Sequence, residues 1–283
     1  MTSSFPVFGR RILILIPHPD DEIVGFCAAA LCARAQGAKL FGLFLTHGCS
    51  SLSNLWPWQR KHYHNHIGIR LNEAHHVAAK LNLTLLNTPT RDARYLWREL
   101  SDVYLEIQEA IHSYAIDQLW VPAYEGGNAD HDALNGLSSY MAAHIDILEF
   151  AEYNFCGGKV MNNTFPYPNG TETVLTLNES EQAFKRECLS LYASEKSNLN
   201  YVTIIKETFR PLAEYNYGKP AHEGKLWYKR FNWVPFHHPR VDRTNPLDVC
   251  AAIEDFALIA SVLPETARKS APEHRGLNHD NDE

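Results

Sequence analysis

Residues 10–26 read RRILILIPHPDDEIVGF, an apolar run over 12–16 that stops at Pro17 and is followed at once by His18, Asp20, Asp21 and Glu22. Five consecutive Ile and Leu side chains have the length and composition of a buried strand. An imidazole and three acids at its end are costly unless something neutralises or hydrogen-bonds them. Beyond this turn an Ala-rich, helix-forming stretch runs to Gly37, and a second apolar strand covers 39–45. The unit recurs: a helix ends near Leu81 before a strand at 83–86, and a further helix leads into a strand at 118–121.

Alternating helices and short apolar strands predict an α/β fold, a Rossmann-like doubly wound and mostly parallel sheet with helices on both faces, plus a C-terminal extension. Ligands of such sheets sit outside the carboxyl ends of the strands, where the acids of 18–22 lie. The Pro- and Asn-rich stretch CGGKVMNNTFPYPNGTE at 156–172 breaks the rhythm. One domain is therefore expected over 1–270, with its sheet core in residues 8–155 and a looser part over 156–270. That part holds a strand at 171–177, a helix at 179–192 and an aromatic-rich tail from Phe209, and a polar tail at 271–283 follows.

With 283 residues, 45% apolar and 21% charged, the chain can bury a substantial core. Its formal net charge of −7 includes no run of Lys or Arg able to track a phosphate backbone, which argues against nucleic acid as a partner. No apolar segment has the length of a membrane span, and MTSSFPVFGRR lacks the apolar centre of a signal peptide, so a cytoplasmic location is expected. Six scattered cysteines without a Cys-x-x-Cys pair predict buried thiols rather than a disulfide framework.

The three-residue spacing of His18 and Asp21 on a turn lets an imidazole and a carboxylate converge on one point. With Asp20 between them, a divalent metal is the economical source of compensating charge. A third ligand comes from LWVPAYEGGNADHDAL at 119–134, after the fourth strand, where His131 opens a helix. His18, Asp21 and His131 make the His, Asp, His set of a catalytic zinc site with a coordination position left for water. Asp20, too close to point at the same metal, is free to take a proton from that water. The plainer alternative is a helix cap, which explains one acid but not the set.

PHPDDE after the first strand and GGNADHDAL after the fourth resemble the PIG-L/LmbE-like deacetylases, zinc enzymes that remove acetyl from N-acetylglucosaminyl groups. RLNEAHHVAAKLN at 70–82, RDARYLW at 91–97 and LSLYASEKSNL at 189–199 extend the resemblance over most of the chain. It implies His18, Asp21 and His131 as zinc ligands and Asp20 as general base. Arg70 matches a position that contacts substrate, with a surface helix cation as the alternative, and Glu22 suggests support or capping. The family commonly has His-Pro-Asp-His where this chain has Asn128, Ala129, Asp130 and His131. Asn128 can donate a hydrogen bond to substrate but cannot shuttle a proton. His222, in GKPAHEGKLW, is the expected replacement acid, with a loop histidine as its alternative.

The resemblance implies an N-acetyl amino sugar as the small-molecule substrate and leaves a homo-oligomer open. A weakly active carbohydrate-binding protein keeping the metal is the rival reading, drawn from Asn128. A nucleotide-dependent enzyme lacks support, since no Gly-x-Gly-x-x-Gly follows the first strand. His62, His64 and His66 alternate in KHYHNHIG, which is expected as a polar loop or substrate lid, as is His237-His238. Trp56, Trp58, Trp97 and Trp227 are candidates to stack on a sugar.

Overall fold

The structure is a computed structural model that describes residues 8–262. Its first strand, β1 (Arg11–Ile16), leads through α1 (Asp21–Val24) and α2 (Cys27–Ala35) to β2 (Lys39–Phe44). Then follow α3 (Pro57–Arg60), α4 (Tyr63–Leu81), β3 (Leu83–Leu85), α5 (Leu100–Ser113), β4 (Gln118–Pro122), α6 (Ala129–Ser139) and β5 (Asp146–Ala151). A small hairpin of β6 (Tyr153–Asn154) and β7 (Met161–Asn162) precedes β8 (Thr173–Thr176), α7 (Glu179–Leu191), β9 (Lys206–Pro211) and α8 (Pro246–Val262).

The main sheet has the order β3-β2-β1-β4-β5-β9-β8, parallel from β3 to β5 and closed at one edge by antiparallel β9 and β8. Along β1 the side chains alternate between faces, as the two-residue period of a strand requires. Leu13 and Leu15 join the core under α5, α6 and α8, whereas Ile12, Ile14 and Ile16 join the core under α2, α4 and α7. The doubly wound, mostly parallel sheet read from the sequence is therefore present. After β1 the chain winds outward through β2 and β3, then returns to place β4 on the other side of β1. That reversal parts the loops after β1 and β4 and opens a crevice at their carboxyl ends.

Two expectations need correction. The sheet does not stop near residue 155, because β8 and β9 extend it from the C-terminal half, and β9 occupies part of the segment read as an aromatic tail. Residues 63–68 are the first turns of α4 rather than a loop. In a helix the alternate spacing of His62, His64 and His66 spreads the rings around the axis, so the spacing itself makes no metal face. The polar tail expected at 271–283 lies outside the described residues. All six cysteines are free, with Cys32 and Cys156 only partly buried.

Charge also fixes the frame. Phe26 provides no side-chain cap to α2, and Glu207 of β9 serves instead, accepting the amides of Ala28 and Ala29 at 2.9–3.0 Å. Lys185 of α7 binds Glu207 at 2.7 Å and the carbonyl of Val24 at 3.1 Å, and both charged side chains are fully buried. Removing one member strands the other in a dry interior. Lys185→Met is therefore expected to destabilise the protein by about 3–5 kcal/mol, measured by equilibrium urea unfolding, with Glu207→Gln added to it restoring part of the loss.

Candidate functional site

The crevice holds the acids of the first motif. His18 and Asp21 come from the turn after β1, and His131 from the first turn of α6. His18 Nδ1 lies 3.1 Å from Asp21 Oδ2 and 3.2 Å from His131 Nε2, and Asp21 Oδ2 lies 3.1 Å from His131 Nε2. The three donor atoms form a nearly equilateral triangle of buried residues, and His18 and Asp21 line the cleft. Tetrahedral zinc with bonds of about 2.0–2.1 Å sets its ligand atoms roughly 3.3–3.4 Å apart, so the spacing and the N, N, O donor set both fit.

Neighbouring acids aim these rings. Asp130 Oδ2 accepts from His18 Nε2 at 3.0 Å, which leaves Nδ1 as the nitrogen turned to the cluster. The amides of Arg94 and Leu96 hold Asp130 at 2.5 and 3.0 Å. Glu152, between β5 and β6, approaches His131 Nδ1 at 3.9 Å, and neither of its buried oxygens has a hydrogen-bond partner among the described residues. Burial alone would lower the pKa of His18, but Asp21 and Asp130 outweigh it and raise it to about 10. Asp21 is likewise opposed by burial, yet His131 and His18 hold it well below the usual carboxylate range.

Asp20 sits at the N-cap of α1 with φ 119, a left-handed conformation that a non-glycine residue adopts at a cost of about 1–3 kcal/mol. Glu22 Oε2 secures its amide at 2.9 Å, and Glu22 in turn accepts the Tyr192 hydroxyl. Thus Glu22 supports the turn, as the sequence suggested. Arg70 is no surface cation: it is buried, and its Nη2 binds Asp20 Oδ2 at 2.9 Å. Its other donors reach the carbonyls of Pro19 and Gly48 and the carboxylate of Glu195. These contacts position Asp20, and Arg70 also lines the cleft. Burial pushes the Asp20 pKa up against the pull of Arg70.

Asn128 lines the cleft at the N-cap of α6, where its Oδ1 accepts the amide of Asp130 at 2.9 Å. His222 does not line this cleft. It is packed behind Gly126, whose φ of +69 and lack of Cβ admit the ring, and borders a separate depression near Lys219 and Pro246. Its Nδ1 is 2.8 Å from the carbonyl of Glu223, and its Nε2 is buried without a hydrogen-bond partner among the described residues. The expected replacement acid is therefore not among the residues that line the cleft. The segment after it does fold over the site, since the Trp227 amide donates to Gly126 O at 2.9 Å and Trp227 and Arg230 line the cleft.

The cleft measures about 980 Å³. Trp58 and Trp227 line it, Trp56 stacks on Trp58 at 5.3 Å, and Trp97 packs instead against the core. His62 and His66 reach its rim, and His237 and His238 set their edges on Trp56. Asp130, Glu152 and Tyr153 are the residues that the sequence reading missed as parts of the site. Only Asp130 carried a signal, its place beside His131.

Residues 13–141, a little under half of the chain, match the family model described as PIG-L, GlcNAc-PI de-N-acetylase. Over these residues the chain is similar to the PIG-L/LmbE-like superfamily. No curated protein sequence matches it. Among solved structures, a deacetylase of teicoplanin biosynthesis aligns with a TM-score of 0.58 at 17% identity, over 73% of this chain and 99% of its own. An A40926 pseudoaglycone deacetylase aligns with a TM-score of 0.55 at 16% identity over the same shares. At these identities the likeness establishes the fold. No described helix of this PIG-L-like protein is long and apolar enough to cross a membrane.

If the triangle holds zinc, Asp130→Asn is expected to weaken zinc binding 10–100-fold with the fold intact, read by competition with a chromophoric chelator. Metal must also displace the His18 proton. Zinc affinity is accordingly expected to rise about tenfold per pH unit as pH climbs towards 10, with one proton released per ion.

Proposed function

We propose that this protein is a zinc-dependent N-deacetylase that hydrolyses the acetamide of an N-acetylglucosaminyl or similar N-acyl amino-sugar substrate. The observation that carries the reading is the His18, Asp21, His131 donor triangle with the carboxylate of Asp20 beside it, in a cleft at the reversal of a parallel sheet. The match of residues 13–141 to the PIG-L family model supports the reaction class. Held by these three residues, zinc would supply a Lewis acid that polarises the amide carbonyl and acidifies a water molecule.

The chain's own residues then have distinct tasks. Asp20 takes the proton from water at Oδ1, the oxygen that Arg70 leaves free. Arg70 and Glu22 hold the strained Asp20 backbone so that this oxygen stays aimed. Asp130 keeps the His18 tautomer fixed. Asn128, with Oδ1 used as a cap, keeps Nδ2 as a hydrogen-bond donor to a polar atom of the substrate. The burial that raises the Asp20 pKa makes it a better proton acceptor than an exposed aspartate.

Asn128, with His222 outside the cleft lining, also favours a second reading, a binding protein that keeps the site with little turnover. Incubating the zinc-loaded protein with a panel of N-acetyl amino sugars and assaying acetate and free amine separates the two. Release is expected. Asp20→Asn should reduce it at least about a hundredfold while zinc content stays near one per chain. Binding without release in the parent would establish the second reading, and an active Asp20→Asn would remove Asp20 from the chemistry.

A further inference from the structure

Two segments frame the mouth of the cleft, and neither contains an acid. Residues 49–72 carry Arg60, Lys61 and Arg70, and residues 224–241 carry Lys225, Lys229, Arg230 and Arg240, yet none of the chain's 33 Asp and Glu falls in either. The four acids that do line the cleft, Asp20, Asp21, Glu195 and Asp242, are buried, each against an arginine or a histidine. Lys61 and Arg240 line the mouth and are exposed, and no carboxylate pairs with either among the described residues. Positive charge therefore collects at one opening of a chain whose net charge is −7.

The same segments set large apolar rings in solvent. Trp58 is 64% exposed, Trp233 74% and Phe236 57%, whereas the chain's other four tryptophans are buried or half-buried. Trp56 joins the two segments: it stacks on Trp58 at 5.3 Å with 9° between the rings, and His237 and His238 meet it edge-on at 5.8 and 6.0 Å. Phe236 continues the patch against His238 at 6.4 Å. Arg243 holds the carbonyls of Val234 and Phe236 at 3.2 and 3.0 Å, which ties down the turn that carries these rings. A joined apolar patch in solvent marks a contact surface, and tryptophan flanked by Lys and Arg is the composition that settles at the boundary of a bilayer.

We infer that the mouth of the cleft docks on an anionic lipid surface, with Trp58 and Phe236 seated among the headgroups and Lys61 and Arg240 facing their phosphates. A lipid surface fits better than a second copy of the chain, which would set like charges against each other. It also fits better than a nucleic acid, whose backbone needs a longer run of Lys or Arg than either segment offers. No described helix crosses a bilayer, so the contact is confined to the interface. The inference stands apart from the deacetylase reading, because neither zinc nor turnover enters it.

Co-flotation of the full chain with lipid vesicles is the test. Vesicles containing about a third phosphatidylglycerol are expected to bind it about tenfold or more tightly than pure phosphatidylcholine, with the advantage lost in molar salt. Lys61→Gln with Arg240→Gln should weaken binding to the anionic vesicles about tenfold or more, since each basic side chain near such a surface contributes about fivefold. Trp58→Ala with Phe236→Ala should weaken binding to both kinds of vesicle. Two independent double variants at exposed positions keep the test clear of folding failures, which circular dichroism would register. Failure of the parent to float with the anionic vesicles overturns the inference, and so does flotation that either double variant leaves intact. Binding to heparin or RNA in place of vesicles would make the mouth a polyanion site, and self-association abolished by Trp58→Ala with Phe236→Ala would make it a dimer face. Either result overturns lipid docking.

Discussion

A single guanidinium ties the site together. Arg70 reaches from α4 to the carbonyl of Pro19 in the turn after β1, to Asp20, to the carbonyl of Gly48 after β2, and to Glu195 in the turn after α7. Four separate segments meet on one planar group, through four hydrogen bonds and the ion pair to Glu195 at 3.2 Å. The close approach demands glycine at position 48, where φ is +74 and a Cβ would fall 2.4 Å from the guanidinium carbon. Glu73, one turn along α4, adds a clamp by accepting the Ser194 amide at 3.1 Å and hydroxyl at 2.5 Å. Through these bonds the helix that carries Arg70 fixes both the turn bearing Asp20 and the turn bearing Glu195.

This compensation is needed because the carboxyl end of the sheet is crowded with buried acids. Asp20, Asp21, Glu22, Glu125, Asp130, Asp132 and Glu152 all lie there with little solvent contact. All but one have a visible remedy. Asp130 and Asp132 accept backbone amides, Glu125 accepts the amides of Glu152 and Tyr153, and Asp21 meets two imidazoles. Burial raises Glu125 to about 7 and Asp132 to about 8, so these two are held near neutral pH between charged and uncharged forms. Glu152 has no such remedy among the described residues and stands 3.9 Å from His131, on the far side of that ring from the triangle. An acid at that place strengthens the basicity of a ring nitrogen that binds metal.

The parallel half of the fold was legible because its strands are uninterrupted apolar runs, as sheets buried on both faces require. β5 and β9 were not, since each carries charge inside. Glu149 of β5 binds Arg210 of β9 at 2.7 Å, and Glu207 of β9 binds Lys185 of α7, which breaks the apolar pattern that marks a buried strand. In the site, His18, Asp21 and His131 could be grouped because two strand ends had to share one edge. What spacing cannot carry is direction. Arg70 and His222 were placed by motif, and only side-chain packing shows the first turned to Asp20 and the second tucked behind Gly126.

On the proposed reading, the two sides of the cleft divide the labour of hydrolysing an amide on a larger molecule. Around the triangle, carboxylates and imidazoles are held by short bonds from rigid strand ends, which suits a reaction that tolerates little displacement of its acting groups. Away from it, the lining includes the aromatic rings of Tyr153, Tyr201 and Trp227, with Arg230 stacked on Trp227. Contacts of that kind orient a ligand without competing for metal or proton. A cleft of about 980 Å³ lies at the upper end of small-molecule sites, so an acetamide at the triangle would leave room for further groups along this wall. On that reading substrate choice would reside in the wall away from the triangle, and the chemistry in the turns after β1 and β4.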